Sequence, residues 1–242
     1  MFPRRHRGVA LILHPAVGGR TDSVTRFARW SAVIAFVVFV ATLVAVLGQA
    51  HWLATADTSV LEPLHRFGIA HPGWVRAWDV LCTVFHPAVF RVLAWVWIIV
   101  ALVRRQVRVA LFLTLSVEVS GLLVVVLKAL VDRPRPATAL VFESSTSYPS
   151  GHALGVMAGV LGLLIVALPL MRLTWRTPAL ILGVVVVLAI GIGRVVLNVH
   201  NPSDVLAGWS LGYLWVLACL PVLKPKAVSV AAETPAVPGT AP

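Results

Sequence analysis

The sequence predicts an all-α fold, a six-helix transmembrane bundle with an interfacial helix between the first and second spans, and three observations predict it. The 242 residues are 59% hydrophobic and 12% charged with a mean hydropathy of +0.93, a composition suited to a bilayer rather than to water. Long apolar runs recur at about 31–49, 88–103, 107–127, 152–170, 178–197 and 205–223, and a hydrocarbon core of ~30 Å needs ~20 helical residues, or somewhat fewer with local thinning. These runs lack the strict alternation of barrel strands, and only helices and closed barrels satisfy their backbone in lipid.

Taken in order, residues 1–30 form a basic segment. The run at 31–49 reads as a retained signal anchor: Ala54-Thr55-Ala56 resembles a cleavage site, but the apolar core exceeds an ordinary signal sequence and nearly thirty residues precede it. Residues 51–87 then form an outer segment. There Leu61, Leu64, Phe67, Ile69, Trp74 and Trp78, interspersed with Arg and His, suggest a helix lying in the interface. The five remaining runs complete a domain over 31–223, and residues 224–242, rich in Pro, Ala and Thr, read as a disordered tail.

Charge reads as topology. Of the 20 basic residues, thirteen fall on one side if the N-terminus is cytoplasmic: Arg4, Arg5, Arg7, Arg20, Arg26, Arg29, Arg104, Arg105, Arg108, Arg172, Arg176, Lys224 and Lys226. The chain is therefore expected in the plasma membrane with both termini cytoplasmic and the motif-bearing face extracytoplasmic. The net charge of +11 is scattered between apolar runs rather than gathered on one domain, so no nucleic-acid partner is expected. Cys82 and Cys219 make neither a disulfide framework nor a spaced metal set. Trp30, Trp52, Trp175 and Trp209 near predicted helix ends read as interfacial anchors.

Ionisable groups at membrane depth are costly, so their positions carry the most information. Three clusters occur, at helix ends that the topology puts on one outer face. The first, Lys128-Ala-Leu-Val-Asp-Arg-Pro-Arg135-Pro136, ends the third span, and its prolines stop the helix so that Arg135 can fold back toward Lys128. Alone it also reads as a snorkelling lysine with interfacial arginines. The second, Tyr148-Pro149-Ser150-Gly151-His152, opens the fourth span with Ser150 as N-cap and Gly151 allowing close approach to helix-end N–H groups. A plain cap explains Ser150 but not His152. The third, Arg194-Val-Val-Leu-Asn-Val-His200-Asn-Pro-Ser-Asp204, crosses from the fifth span to the sixth. Asn201 and Pro202 fit N-cap and first helical residue, which makes Asp204 a capping carboxylate that also lies near His200.

Together these supply three cations, helix-end donors, two histidines and a carboxylate. The inventory suits phosphoryl transfer, with Lys128, Arg135 and Arg194 on the equatorial oxygens, His200 attacking phosphorus, His152 protonating the leaving oxygen and Asp204 fixing the His200 tautomer. A metal is not required, since fixed cations do the work of a Mg²⁺.

Lys-six residues-Arg-Pro, Pro-Ser-Gly-His, and Arg-five residues-His-three residues-Asp resemble the three signature motifs of the type 2 phosphatidic acid phosphatase and vanadium haloperoxidase superfamily. Within it the chain is similar to the six-helix membrane lipid phosphatases, over about residues 31–223 in layout and 128–204 in specific motifs. The resemblance implies catalytic His200, His152 and Asp204, phosphate-binding Lys128, Arg135, Ser150, Gly151 and Arg194, no cofactor and no metal. It implies hydrolysis of a membrane lipid phosphate or diphosphate of the polyprenyl, phosphatidylglycerophosphate or phosphatidate class. A lipid phosphotransferase or a vanadate-dependent haloperoxidase would use the same site. One departure is Gly193, where the family often has Ser. Glu118, mid-membrane, reads equally as functional or as a hydrogen-bonded interhelical carboxyl, and His51, His65, His71 and His86 fit no ligand template.

Overall fold

The computed structural model describes residues 18–223. Arg4, Arg5 and Arg7 of the basic segment, and the tail after Leu223, lie outside the described residues. No strand occurs among those described, which form helices α1 (Gly18–Leu47), α2 (His51–Ala70), α3 (Pro72–Val84), α4 (Pro87–Val103), α5 (Val107–Leu113), α6 (Val119–Val131), α7 (Gly151–Ala167), α8 (Leu173–Val196) and α9 (Pro202–Cys219). Among the described residues, six stretches are long and apolar enough to cross a membrane: Arg26–Leu47, Pro72–Val103, Val107–Val131, Gly151–Leu170, Leu173–Val196 and Pro202–Leu223.

The second of these differs from the sequence expectation. It begins at Pro72 rather than near residue 88, in two pieces jointed at Phe85 and His86. Arg76 and Asp79 break the apolar run, so α3 reads by composition as part of the outer segment. Pro72 and Pro87 each take the first helical position, where a missing N–H costs nothing, and so restart the helix. α2 precedes this joint and packs against α8 and α9. The third span is one helix with a π-turn at Thr114–Glu118 between α5 and α6. Such a turn disturbs the carbonyl ladder, and Trp215 Nε1 donates to Leu115 O there at 2.9 Å.

α7 is the centre of the bundle, with α9, α8 and α4 around it. Lipid offers no hydrophobic drive between helices, so close packing must hold them, and small residues allow it. A Cβ on Gly208 of α9 would lie 2.7 Å from Ser150 O, and one on Gly212 2.8 Å from Leu154 O. Gly155 and Gly159 of α7 similarly receive Pro87 and Phe90 of α4. Outward-facing Val33, Phe36, Val184, Val185 and Leu188 stay exposed, as a lipid-facing shell requires. The backbone contact at Gly208 fixes the start of α9 against the start of α7, which is where the second and third motifs meet.

Candidate active site

The C-terminal end of α6, the N-terminus of α7, the turn between α8 and α9 and the 132–150 loop converge at one end of the bundle. Asp132 ends α6 in the left-handed region (φ 47°), and the following Arg133-Pro134-Arg135-Pro136 turns back over the helix. Ser147 N donates to Arg133 O at 2.8 Å and Leu140 N to Leu197 O at 3.0 Å, which tie the loop down at both sides. Arg135 thus returns toward Lys128, as the helix-stopping prolines predict: Lys128 Nζ donates to Ser145 Oγ at 2.9 Å, and Arg135 Nη2 to the same oxygen at 3.2 Å.

Asn198, also left-handed (φ 55°), lets the chain leave α8 and carry His200 inward, with Val199 N and His200 N both donating to Arg194 O. His200 is fully buried. Its Nε2 lies 3.3 Å from Arg135 Nη1 and its Nδ1 lies 3.7 Å from Asp204 Oδ2, with Ser147 Oγ 3.4 Å away. A carboxylate on the Nδ1 side favours the proton there and leaves the Nε2 lone pair toward the cations. Burial pushes the imidazole pKa down to about 4; Asp204 pulls against that, and Arg135 and Arg194 add to it.

Asp204 is a capping carboxylate and more. Its Oδ2 accepts from Asn201 N at 2.8 Å, which is the N3-to-N-cap bond expected for this helix start, and from Ser147 Oγ. Its Oδ1 accepts from Arg133 Nη1 at 2.6 Å. Arg133 Nη2 in turn donates to Asp57 at 2.9 Å, and Asp57 also accepts from Ser203 N at 3.0 Å and Ser203 Oγ at 2.6 Å. Burial opposes the guanidinium charge, but Asp204 and Asp57 outweigh it and raise its pKa. α2 is thereby clamped to the start of α9 through two buried acids and one arginine.

The three cations face one space. Arg194, 2% exposed, donates through Nη2 to Glu143 Oε1, and Arg135 Nη2 lies 3.8 Å from Glu143 Oε2. A single carboxylate from the loop therefore sits between the two guanidinia. Burial would raise its pKa, but Arg194 and then Arg135 hold it below the usual range, as an anion. Ser150 caps α7, accepting from Ala153 N at 3.4 Å, and its own N donates to Asp204 O at 3.0 Å. Gly151 follows against Val124 and Lys128. His152 lies in the first turn with His86 edge-on to it, ring centroids 4.7 Å apart. At Gly193 a Cβ would come within 2.8 Å of Cys82 Sγ and 2.9 Å of Trp78, so α3 fills the place a side chain would need.

All eight residues singled out from the motifs belong to this cluster. Sequence reasoning passed over Asp57, Arg133, Glu143 and Ser147. Asp57 and Glu143 lie in segments that look like ordinary polar connections, and Arg133 reads as interfacial until its two acids are found. A signal was available only for Arg133, which lies inside the first motif, and for Ser147, which directly precedes the second.

The model of the PAP2 superfamily matches residues 109–226, a stretch holding all three motifs. Over that stretch, just under half of its length, the chain is similar to the PAP2 superfamily. It is 44% identical over 93 residues to phosphatidylglycerophosphatase B of Bacillus subtilis, covering 37% of this chain and 45% of that one. It is 33% identical over 129 residues to undecaprenyl-diphosphatase of Sulfolobus acidocaldarius, covering 49% and 59%. The matches thus span about half the length of these curated relatives. In fold it matches the transmembrane PAP2 type phosphatidylglycerolphosphate phosphatase from Bacillus subtilis with a TM-score of 0.66 over 79% of this chain and 95% of that chain, at 24% identity. The chain is an integral membrane protein built on that all-helical fold.

Proposed function

We propose that this chain is a membrane lipid phosphatase that hydrolyses a lipid phosphate or diphosphate, of the polyprenyl, phosphatidylglycerophosphate or phosphatidate class, through a phosphohistidine on His200. The observation that supports this most directly is the Glu143 carboxylate held between Arg194 and Arg135 beside His200 Nε2. A pair of guanidinia that already grips a two-oxygen anion next to a nucleophilic nitrogen is a phosphoryl-binding arrangement, with Glu143 as the internal stand-in.

In this reading the phosphoryl group displaces Glu143, and its non-bridging oxygens lie on Lys128, Arg135, Arg194, the Ser150 hydroxyl and the N–H group of Gly151. His200 Nε2 attacks phosphorus while Asp204 accepts from Nδ1 and supports the charge that develops on the ring. The bond from phosphorus to the lipid oxygen breaks, and His152 gives that oxygen its proton. Water then attacks the phosphohistidine with His152 taking its proton, and phosphate leaves with His200 neutral again. The built-in cations neutralise the phosphoryl charge that a Mg²⁺ would otherwise neutralise, so activity is expected to persist in EDTA. The site opens away from the cytoplasm of the plasma membrane, with both termini inside.

The test is a labelling experiment with a ³²P-labelled lipid diphosphate, whose good leaving group needs little protonation. An acid-labile, base-stable phosphoenzyme is expected to accumulate in His152→Ala, where hydrolysis is slowed more than phosphorylation, and to be absent in His200→Ala. Label on a carboxylate, on serine, or on His152 in the absence of His200 would overturn the assignment.

A further inference from the structure

The proposed chemistry gives His152 two proton transfers, yet nothing in the three motifs holds its ring. Asp204 stands on the Nδ1 side of His200 and orients it, whereas the His152 side chain makes no hydrogen bond among the described residues. A group that must meet first the leaving oxygen and then a water needs a fixed ring, since misplacement by about 1 Å can cost on the order of 100-fold in rate. The His152 ring packs instead against His86, which lies outside all three motifs. Their centroids are 4.7 Å apart and their planes stand at 90°.

His86 is itself fixed, although part of its ring stays exposed. The residue before a proline is confined to extended backbone, and His86 ahead of Pro87 has φ −59° and ψ 145°. It is the N-cap of α4, and its Nδ1 accepts from Ala88 N at 3.1 Å, which sets the ring's rotation and leaves its proton on Nε2. Below the ring, α4 is keyed to α7. A Cβ on Gly155 would lie 2.8 Å from Pro87 Cβ, and one on Gly159 2.5 Å from Phe90 Cβ. His152, Gly155 and Gly159 share one face of α7, so three successive contacts set a single register between the helices. His86 also stands within electrostatic reach of Arg194 and Glu143, at the edge of the cation cluster. The same dipeptide opens α3, but there His71 turns back and stacks on Phe67 with centroids 4.0 Å apart.

We propose that His86 is a positioning residue for His152, holding the ring of the acid in the orientation that proton transfer to the leaving oxygen requires. The proposal rests on the phosphatase reading, in which His152 is that acid. Perpendicular aromatic pairs at this separation have a preferred geometry, so a His86 ring locked by its cap and by Pro87 selects one orientation of its neighbour. His86 acts through His152 and not on the phosphoryl group. Its loss therefore slows the chemical steps and leaves the cations that bind phosphate untouched, and the effect falls on kcat rather than KM. It also falls hardest where the leaving oxygen most needs a proton, which is a lipid alkoxide rather than a lipid phosphate leaving from a diphosphate.

Two substitutions separate the ring from the cap. His86→Asn keeps a side-chain acceptor for Ala88 N and removes the ring, while His86→Phe keeps a ring against His152 and removes the cap. Phosphate release from phosphatidate, phosphatidylglycerophosphate and undecaprenyl diphosphate is measured in matched detergent micelles for wild type, both variants, His152→Ala and the double variant His86→Asn/His152→Ala. His86→Asn is expected to lower kcat by roughly 5- to 30-fold on the two phosphomonoesters, part of the roughly 10²- to 10⁴-fold that a placed acid supplies, with KM within about threefold and a smaller fall on the diphosphate. His86→Phe should stay within about threefold of wild type. In the His152→Ala background His86→Asn should cost nothing further, because the ring it positions is gone. If His86→Asn does not fold, His86→Ser, a shorter cap, replaces it in both backgrounds. An unchanged kcat in His86→Asn, a loss in His86→Phe as large as in His86→Asn, or a full further loss in the double variant would overturn the assignment. Wild type releasing phosphate from none of the three lipids would instead sink the phosphatase reading.

Discussion

At the scale of single residues, the site is governed by which charges are satisfied and which are held ready. Glu143 pairs with Arg194 and Arg135, and on the proposed mechanism it competes with the phosphoryl group for them. Glu143→Gln keeps the shape but removes the competing charge, and because the carboxylate is 28% exposed the gain is discounted for solvent screening. Orthovanadate is expected to inhibit Glu143→Gln at a roughly three- to tenfold lower concentration than wild type, with kcat within about threefold. Weaker inhibition would mean that Glu143 positions Arg194 rather than competing for it. His200 supplies a pH dependence. It must be neutral to attack, its pKa is held down to about 4 chiefly by burial, and the neutral form predominates above that value. The acid limb of kcat, followed from pH 4 to pH 8, is therefore expected well below the ordinary histidine value of about 6.5. A limb at the ordinary value would show that the imidazole is solvated in the working enzyme.

At the scale of elements, α3 explains a departure that the motifs alone leave open. Gly193 stands where a serine is common in the superfamily, and Cys82 and Trp78 occupy the space above it. Gly193→Ser should overpack this contact, cost about 1–3 kcal/mol and lower the Tm of the detergent-solubilised protein, and Cys82→Ala should restore part of the loss. Additive losses in the double variant would mean that the two positions do not share the space. The same helix marks the limit of what could be read beforehand. Lys128, Arg135, His152, Arg194, His200 and Asp204 were legible because an ionisable group at the end of an apolar run has few structural reasons to be there. The capping role of Asp204 was legible from Asn201-Pro202. Asp57 was not, since its partners Arg133 and Ser203 are 76 and 146 residues away and no spacing links them. α3 was assigned to the outer segment because Arg76 and Asp79 dilute its hydropathy, although its other side packs against α8.

At the scale of the whole molecule, every part of the site lies at one end of the bundle, so a single measurement of sidedness fixes the orientation of all of them. The loop residue Ala137 is exposed at that end and Thr174, at the start of α8, is exposed at the other. The native Cys82 and Cys219 are buried, which leaves little background for a thiol probe. The sequence topology assigns thirteen of the 20 basic residues to the Thr174 side, so that side is expected to face the cytoplasm. Ala137→Cys should then react with a membrane-impermeant maleimide in intact cells, whereas Thr174→Cys should react only after permeabilisation. The reverse pattern would turn the site toward the cytoplasm. A lipid phosphate would then have to be taken from the inner leaflet, and the basic loops would be reading something other than topology.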